Sequence, residues 1–170
     1  MVSASRAREL INQLELEPHP EGGWFREVYR STEAIDGRAL PERFEGSRCF
    51  ATSIYYLLTS NDFSAFHRIA ADELWHFYTG SSITIHTIDA GGNYLPVTLG
   101  CNPERNQAFQ ATVPHGTFFA ADVDTADSFA LVGCTVAPGF EFGDFELARR
   151  GNLLNLFPQH SDLIGRLTRT

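Results

Sequence analysis

Two side chains near the middle of the sequence, His67 and Glu73, are of the types that transfer protons or bind metal ions. They lie in the stretch Phe66–Gly80, which is rich in aromatic residues. An imidazole titrates close to neutral pH. A carboxylate among aromatic residues is costly to bury unless it has a partner or a task. The sequence therefore predicts an acid–base pair, with His67 and Glu73 as the candidate catalytic residues.

Strand alternation divides the residues around this pair between site and core. Successive side chains of a strand point to opposite faces, so Glu73 shares a face with Trp75 and Phe77 while His76 points away. Trp75 is a candidate wall of a binding pocket, and a tryptophan that fills the core is the alternative. Phe119 presents the same two alternatives. His76 is a further binding candidate, with a structural role on the other face of the sheet as its alternative.

Further candidates lie outside this stretch. Arg26 and Glu27 are neighbours on a predicted strand, so only one of them faces inward. An Arg26 that faces inward would anchor an anion; the alternative is that Arg26 lies on the face of the strand that contacts solvent. Glu141 is a reserve binding candidate in the aromatic run Phe140–Glu146, whose acidic residues are expected in solvent. The glycines of Glu21–Gly23 permit either close approach of a ligand or another chain, or a turn with positive φ, and the turn is the default interpretation.

The elements that must position these residues are short strands separated by turn residues. A helix is predicted at about residues 5–15, a barrel at about 24–148 and a C-terminal helix at about 159–168, all in a single domain covering 1–170. Short strands at this spacing are typical of an all-β sandwich or barrel. Besides a strand at 24–30, the predicted strands lie near residues 48–58, 63–68, 73–79, 82–89, 94–99, 107–113, 117–121, 127–137 and 142–147.

Composition excludes several classes of function. The chain has 170 residues and a formal charge of −8, which disfavours a nucleic-acid partner because such a protein needs a clustered basic surface. Its three cysteines are far apart and form no CxxC motif, so neither a disulfide framework nor a zinc site is indicated. No apolar stretch has the length of a signal peptide or a membrane span. We therefore expect a cytoplasmic protein with no membrane partner.

Two motifs resemble the signatures of the cupin superfamily. Phe66–Gly80 is similar to the first signature, with Ile69 in the place of its second histidine. Val113–Phe119 is similar to the second signature, with Phe119 in the place of its histidine. The positions that match are His67, Glu73 and Gly80 in the first motif and Pro114 and Gly116 in the second. Since the two replacements are apolar, no cofactor and no firmly held transition metal is predicted; a degenerate metal site would use His67 and Glu73.

A narrower resemblance covers nearly the whole chain. The sequence is similar to the cupin-5 family, formerly called domain of unknown function 985. The resemblance implies a jelly-roll barrel, also called a double-stranded β-helix, with short terminal helices and a pocket inside the barrel. It also implies that the protein is usually a homodimer, and it does not imply a settled reaction. It is carried by the strings His19–Arg30, Thr52–Leu58, Phe66–Ile69, Asp72–Gly80 and Val136–Leu147.

Three functions remain open. The first is a metal-independent module that binds a small molecule among aromatic walls. The second is a metal-free epimerase or isomerase acting on a sugar or sugar nucleotide; resemblance to deoxysugar-nucleotide epimerases implies that His67 would be its acid/base residue. The third is an enzyme with a degenerate metal site. Because the strand Trp24–Arg30 is free to extend a partner's sheet, we also expect a homodimer.

Overall fold

The computed structural model describes residues 2–169. Its helices are α1 (Val2–Gln13), α2 (Arg150–Leu156) and α3 (Ser161–Arg166). Its strands are β1 (Glu17–Pro18), β2 (Trp24–Arg30), β3 (Ala34–Ile35), β4 (Arg48–Cys49), β5 (Thr52–Thr59), β6 (Phe63–Ile69), β7 (Asp72–Gly80), β8 (Ile83–Ile88), β9 (Val97–Leu99), β10 (Gln110–Val113), β11 (Phe118–Val123), β12 (Phe129–Ala137) and β13 (Phe145–Leu147). Across residues 2–169, no helix is both long and apolar enough to cross a membrane.

Two antiparallel sheets face each other. The six-stranded sheet has the order β1-β2-β5-β12-β7-β10, and the five-stranded sheet has the order β13-β6-β11-β8-β9. From β5 onward the chain passes repeatedly from one sheet to the other, which is the path of a jelly roll. The prediction of an all-β jelly roll is thus confirmed, although the sheets do not close into one continuous barrel. The interior is the space between the two sheets.

Apolar clusters fill one end of the interior and cover the outer faces. Between the sheets, the cluster that we call the interior core contains the fully buried Trp75 and Phe119. Helix α1 packs through Leu10 on the outer face of the six-stranded sheet. Helices α2 and α3 cover the outer face of the five-stranded sheet through Leu153 and Ile164. Burying each of these side chains contributes roughly 1.5–3 kcal/mol.

The helices differ in detail from their predicted bounds. The first was predicted at 5–15, but α1 ends at Gln13 because Glu15 has a left-handed φ of 53°. The C-terminal prediction of one helix at 159–168 corresponds to the shorter α3. Helix α2, which precedes it, was not predicted; seven residues are too few for a clear helical periodicity.

Strand β2 contains a bulge that matters for the site. Glu27 and Tyr29 pair with consecutive residues of β5, so Val28 is an extra residue. An extra residue reverses the alternation of side chains beyond it. Phe25 and Glu27 therefore face the interior before the bulge, and Arg30 faces it afterwards.

Candidate functional site

A cavity of about 90 Å³ lies in the interior beside the interior core. Strands β2, β5, β6, β7 and β12 form its walls, together with the turn at residues 19–23 and the segment at residues 140–145. Its inner end is lined by buried acidic and imidazole groups, its middle by aromatic and aliphatic side chains, and its mouth by half-exposed charged residues. A concave, mainly apolar pocket with a few convergent polar groups is typical of a small-molecule site.

At the inner end, His67 and Glu21 form a buried pair. His67 Nδ1 donates a hydrogen bond to the carbonyl oxygen of Ala65 at 2.7 Å, which fixes the ring orientation. Its Nε2 atom lies 3.1 Å from Oε2 of Glu21, and the two side chains are 3% and 8% exposed. The other oxygen of Glu21 accepts a hydrogen bond from the Ser64 hydroxyl at 2.9 Å. Both ring nitrogens of His67 are therefore engaged by protein groups.

A tight turn brings Glu21 into the interior. Gly22 and Gly23 follow it with φ angles of +118° and +70°. A Cβ atom on Gly22 would lie 2.2 Å from the carbonyl oxygen of Phe63, so this position requires glycine for its conformation and for its space. The structure shows that these glycines form a turn with positive φ. The group that Gly22 approaches closely is the backbone of the same chain, at Phe63, and not a ligand or another chain.

Glu73 is buried beside this pair and is held uncharged. Burial, together with the nearby charge of Glu21, raises the pKa of Glu73 to about 8. Burial also raises the pKa of the Cys134 thiol well above its usual value. At neutral pH the cavity thus contains a carboxylic acid that can donate a proton and a neutral thiol.

His19 contributes a second imidazole from the turn. Its Nδ1 atom accepts a hydrogen bond from the backbone N–H of Glu21 at 3.3 Å, so Nε2 carries the proton of the neutral ring. Burial lowers the pKa of His19, which favours this neutral form. The ring lies edge-on to Phe25 with centroids 4.6 Å apart and stacks against Phe142 at 6.3 Å. His19 therefore acts as part of the aromatic lining.

The mouth of the cavity holds one cation between two carboxylates. Arg30 donates to both oxygens of Glu27, at 3.0 and 2.9 Å, and to Glu141 at 2.7 Å. It also donates to the carbonyl oxygen of Phe140 at 3.1 Å. These two carboxylates and one guanidinium together carry a formal charge of −1.

The structure brings some of the candidate residues together and separates others. His67, Glu73 and Glu141 line the one cavity. Arg26 does not, because it lies on the other side of β2, where it donates to the carbonyl oxygen of Leu14 at 3.1 Å and pairs with Glu15. The inward residue of the pair Arg26 and Glu27 is consequently the glutamate.

The remaining candidates lie behind the lining or on another face. Trp75 and Phe119 belong to the interior core rather than to the cavity lining. Phe119 pairs with His67 across the strands, with ring centroids 4.0 Å apart, so it supports that ring from behind. His76 is half-buried and outside the lining, as the alternation along β7 predicts. The indole nitrogen of Trp75 is buried and has no hydrogen-bond partner within residues 2–169.

Among the lining residues with a carboxylate, guanidinium or imidazole group, three were not identified as site candidates from the sequence: His19, Glu21 and Arg30. The sequence did contain a signal for His19 and Glu21. The string from His19 to Gly23 carries part of the family resemblance, and it places the carboxylate of Glu21 directly before two glycines. Arg30 could not be found by alternation, since the bulge at Val28 reverses it.

The donor atoms in the cavity do not fit a transition-metal centre of the kind found in cupins. Within residues 2–169, no three His, Cys, Asp or Glu side chains are grouped so that they could hold a metal ion. His67 and Glu21 bind each other, and the lone pair of His19 Nδ1 faces the backbone N–H of Glu21.

Comparisons with known proteins agree with this fold. Residues 8–148 match the family model Cupin_5, described as Cupin superfamily (DUF985). A curated relative, the uncharacterized protein YML079W of Saccharomyces cerevisiae, is 28% identical over 158 residues, which cover 82% of this chain and 74% of that protein.

Solved structures show the same architecture. Protein SO0799 of Shewanella oneidensis is 40% identical with a TM-score of 0.87, covering 96% of this chain and 97% of that one. A hypothetical protein of Leishmania major is 35% identical with a TM-score of 0.88, covering 96% and 99%. Oxalate decarboxylase of Bacillus subtilis is 15% identical with a TM-score of 0.54, covering 88% of this chain and 36% of that one, and shares the fold alone.

Proposed function

The chain belongs to the Cupin_5 family of the cupin superfamily (DUF985), and we propose that it binds a small organic molecule in the cavity between its sheets without using a metal ion. The relatives are uncharacterized or hypothetical proteins, so the chemistry has to come from the cavity itself. One observation supports the proposal above all others. A neutral carboxylic acid, Glu73, and a carboxyl–imidazole pair, Glu21 and His67, line the same mainly apolar cavity.

These groups offer a ligand complementary hydrogen bonds. Protonated Glu73 donates to an oxygen or nitrogen of the ligand, and Glu21 accepts from a hydroxyl or amino group. The cavity of about 90 Å³ is smaller than an engineered cavity of about 150 Å³ that binds benzene. The ligand is therefore compact, or only one end of it enters while the rest lies at the mouth.

The state of Glu73 favours a functional interpretation. A carboxylic acid whose pKa is raised by burial and by a neighbouring charge, in a cleft, is characteristic of binding and catalytic sites. Such a residue reduces stability at neutral pH, because the unfolded chain ionises it and the folded protein does not.

The proposal is tested on protein purified without chelators. Native mass spectrometry should detect a co-purified small molecule, or a thermal-shift screen of sugars, nucleobases and amino acids should find a stabilising compound. A ligand at about 100 times its dissociation constant adds about 2.7 kcal/mol to the free energy of unfolding. The stabilisation should disappear in His67→Ala and persist in the control His76→Ala. Stoichiometric iron, manganese or zinc that is lost in His67→Ala would contradict metal independence.

A second function, metal-free epimerisation or isomerisation, is favoured by the different surroundings of the two carboxyl groups. Burial raises the pKa of Glu73, whereas Glu21 is hydrogen-bonded by Ser64 and paired with His67. Two carboxyl groups in different environments commonly act as an acid and a base. Glu21 would remove the proton from a carbon next to a carbonyl, and Glu73 would give its proton to the carbonyl oxygen, which yields an enol. In an isomerisation of an α-hydroxy carbonyl compound, Glu21 returns its proton to the former carbonyl carbon, and Glu73 recovers a proton from the other hydroxyl of the enediol. In an epimerisation, solvent water supplies the proton on the opposite face, Glu21 releases the proton that it removed to solvent, and Glu73 recovers its proton from the enol hydroxyl. Because both nitrogens of His67 are engaged, His67 would act through Glu21 as a positioning residue.

Glu73→Gln separates the two functions. Glutamine keeps a neutral hydrogen-bond donor of the same shape but has no proton to transfer. Binding alone predicts a dissociation constant close to that of the wild type. Catalysis predicts, in addition, that the wild type incorporates deuterium from heavy water into a bound carbonyl compound and that the variant does so about 100-fold more slowly or worse. If the wild type incorporates no deuterium into any compound that it binds, the enzyme proposal fails while the binding proposal stands.

A further inference from the structure

Five of the aromatic rings that line the cavity form a group that we call the aromatic box. Each ring lies near at least one other: Phe140 lies 5.1 Å from Phe142 and 6.4 Å from Phe145, centroid to centroid. His19 lies 6.1 Å from Phe145. The members of the aromatic box are His19, Phe25, Phe140, Phe142 and Phe145.

Carboxyl groups stand at both ends of the aromatic box. Glu21 lies at its inner end, and Glu27 and Glu141 lie at the mouth. Glu21 is paired with His67 at the inner end, so the formal charge that has no partner beside the aromatic box is that of the mouth. Two carboxylates and the single guanidinium of Arg30 leave −1.

The cation at the mouth, Arg30, binds carboxylates, and the arginines that lie over aromatic rings are found elsewhere. A cation attracts the electron-rich face of an aromatic ring, and arginines often fill that place. In the described part of the chain, the arginines that lie over aromatic rings contact residues outside the aromatic box. These contacts are Arg43 and Arg48 on Phe44, Arg68 on Phe118 and Arg169 on Phe63. Within residues 2–169, no arginine therefore lies over a ring of the aromatic box.

We propose that the ligand of this cavity is an organic cation, a compound whose ammonium group lies in the aromatic box and whose uncharged polar end reaches Glu73. Aromatic rings combined with carboxylates are the chemistry that recognises ammonium groups. The inference rests on the proposed function, because it names the chemical class of the molecule that the cavity binds. It also disfavours phosphorylated and nucleotide-linked sugars as ligands, since the guanidinium of Arg30 is already bound by two carboxylates and the net charge of the mouth is negative.

Choline and its uncharged isostere 3,3-dimethylbutan-1-ol test the charge directly, because they have nearly the same shape and differ by one positive charge. Binding is followed by the NMR shifts of the cavity methyl groups of Ile54, Ile69 and Val136. We expect choline to bind at least about tenfold more tightly than the isostere, a difference of about 1.4 kcal/mol. Acetate and inorganic phosphate should not shift these signals.

Variants assign the effect to the aromatic box and to the mouth. Phe142→Leu and Glu141→Gln alter half-exposed side chains and should fold like the wild type. Each should weaken choline binding several-fold, and the binding of the isostere should change less in Glu141→Gln. The matched controls are Phe109→Leu and Glu146→Gln, which change exposed residues outside the cavity and should leave binding unchanged.

The outcomes separate this inference from the proposed function. If the isostere binds as tightly as choline, or if the anions bind instead, the ligand is not a cation, but the cavity still binds small molecules. If Phe142→Leu and Glu141→Gln bind choline like the wild type, the aromatic box is not the site. If none of the four probes shifts the cavity methyl groups at millimolar concentration, and no co-purified ligand is found, both proposals fail.

Discussion

At the scale of single residues, the protonated state of Glu73 is the feature on which the chemistry of the cavity depends. The side chain is buried, and its pKa is raised because water no longer stabilises its charge and because Glu21 lies nearby. The same shift links ligand chemistry to stability, since a group that titrates differently in the folded and unfolded states makes stability depend on pH.

We predict that Glu73→Gln removes a pH-dependent loss of stability. The unfolded chain ionises this group near pH 4.5 and the folded protein only near pH 8. Between these values the folded state binds more protons, so the free energy of unfolding falls as pH rises, by up to about 1.4 kcal/mol per pH unit. The advantage of Glu73→Gln over the wild type should therefore grow from pH 4.5 to 8 and then level off, as measured by urea denaturation.

The exposed Glu146→Gln serves as the control and should show no such growth. A difference between Glu73→Gln and the wild type that stays constant across this pH range would mean that Glu73 titrates normally in the folded protein.

We also predict that Glu21 and His67 are strongly coupled. Removing one partner of a buried pair leaves the other unpaired, which typically costs about 3–5 kcal/mol. Glu21→Ala and His67→Ala should each be strongly destabilising, and the double variant should cost clearly less than the sum. A double-mutant cycle measured by denaturation gives the coupling. The exposed pair Arg68 and Glu146 provides the matched control, for which a coupling of at most about 1 kcal/mol is expected. Equal coupling in the two cycles would contradict this prediction.

At the scale of elements, the turn after β1 and the bulge in β2 build the two ends of the cavity. The turn carries Glu21 to the inner end, and the bulge at Val28 brings Arg30 to the mouth, where it binds Glu141. Neither element is regular, and each changes the direction in which a charged side chain points. Irregularities of this kind are frequent next to functional sites.

We predict that Gly22→Ala displaces the turn. The new Cβ atom would meet the carbonyl oxygen of Phe63 at 2.2 Å and would require a φ of +118°, which costs more than positive φ alone. We expect a loss of stability above about 1 kcal/mol together with weaker ligand binding, because Glu21 moves with the turn. Gly116→Ala is the control: its φ is +72°, and nothing lies within 4 Å of the added Cβ. If Gly22→Ala is as mild as the control, the turn is not what holds Glu21.

At the scale of the whole molecule, the jelly roll divides its interior between packing and binding. Residues of the interior core fill one end, while the helices cover the outer faces of the sheets. The rigid walls that result hold the cavity open beside a close-packed region. The formal charge of −8 adds a long-range attraction for cations.

We predict a homodimer formed along β2. Strand β1 pairs only with Trp24 and Phe25, so in the described chain the rest of this edge of β2 is unpaired, and Val28 and Tyr29 are 47% and 54% exposed. Unpaired edges readily pair with another chain. Light scattering should give twice the chain mass of 18.9 kDa. Val28→Lys should shift the mass to that of one chain without unfolding it. A monomer mass for the wild type at micromolar concentration would refute the prediction.

Local patterns in the sequence determined the strands and the direction in which regular side chains point. Alternation along β7 placed Glu73 inward and His76 outward, because the side-chain period of a strand is a local property of the backbone. The spacing of the strands indicated a sandwich or barrel, and the resemblance of the motifs to those of cupins implied the jelly roll. The family resemblance extended these predictions to the order of the elements.

Only the tertiary structure decided which distant groups share the cavity. Glu21 reaches His67 across more than 40 residues of sequence, and the resulting charge helps to keep Glu73 protonated. The bulge at Val28 reversed the alternation that would have hidden Arg30. Proximity of this kind depends on how sheets pack and where a strand gains a residue. The hydrophobic periodicity of a strand or helix contains no information about either of these. The chemistry of the site therefore followed only from the folded molecule.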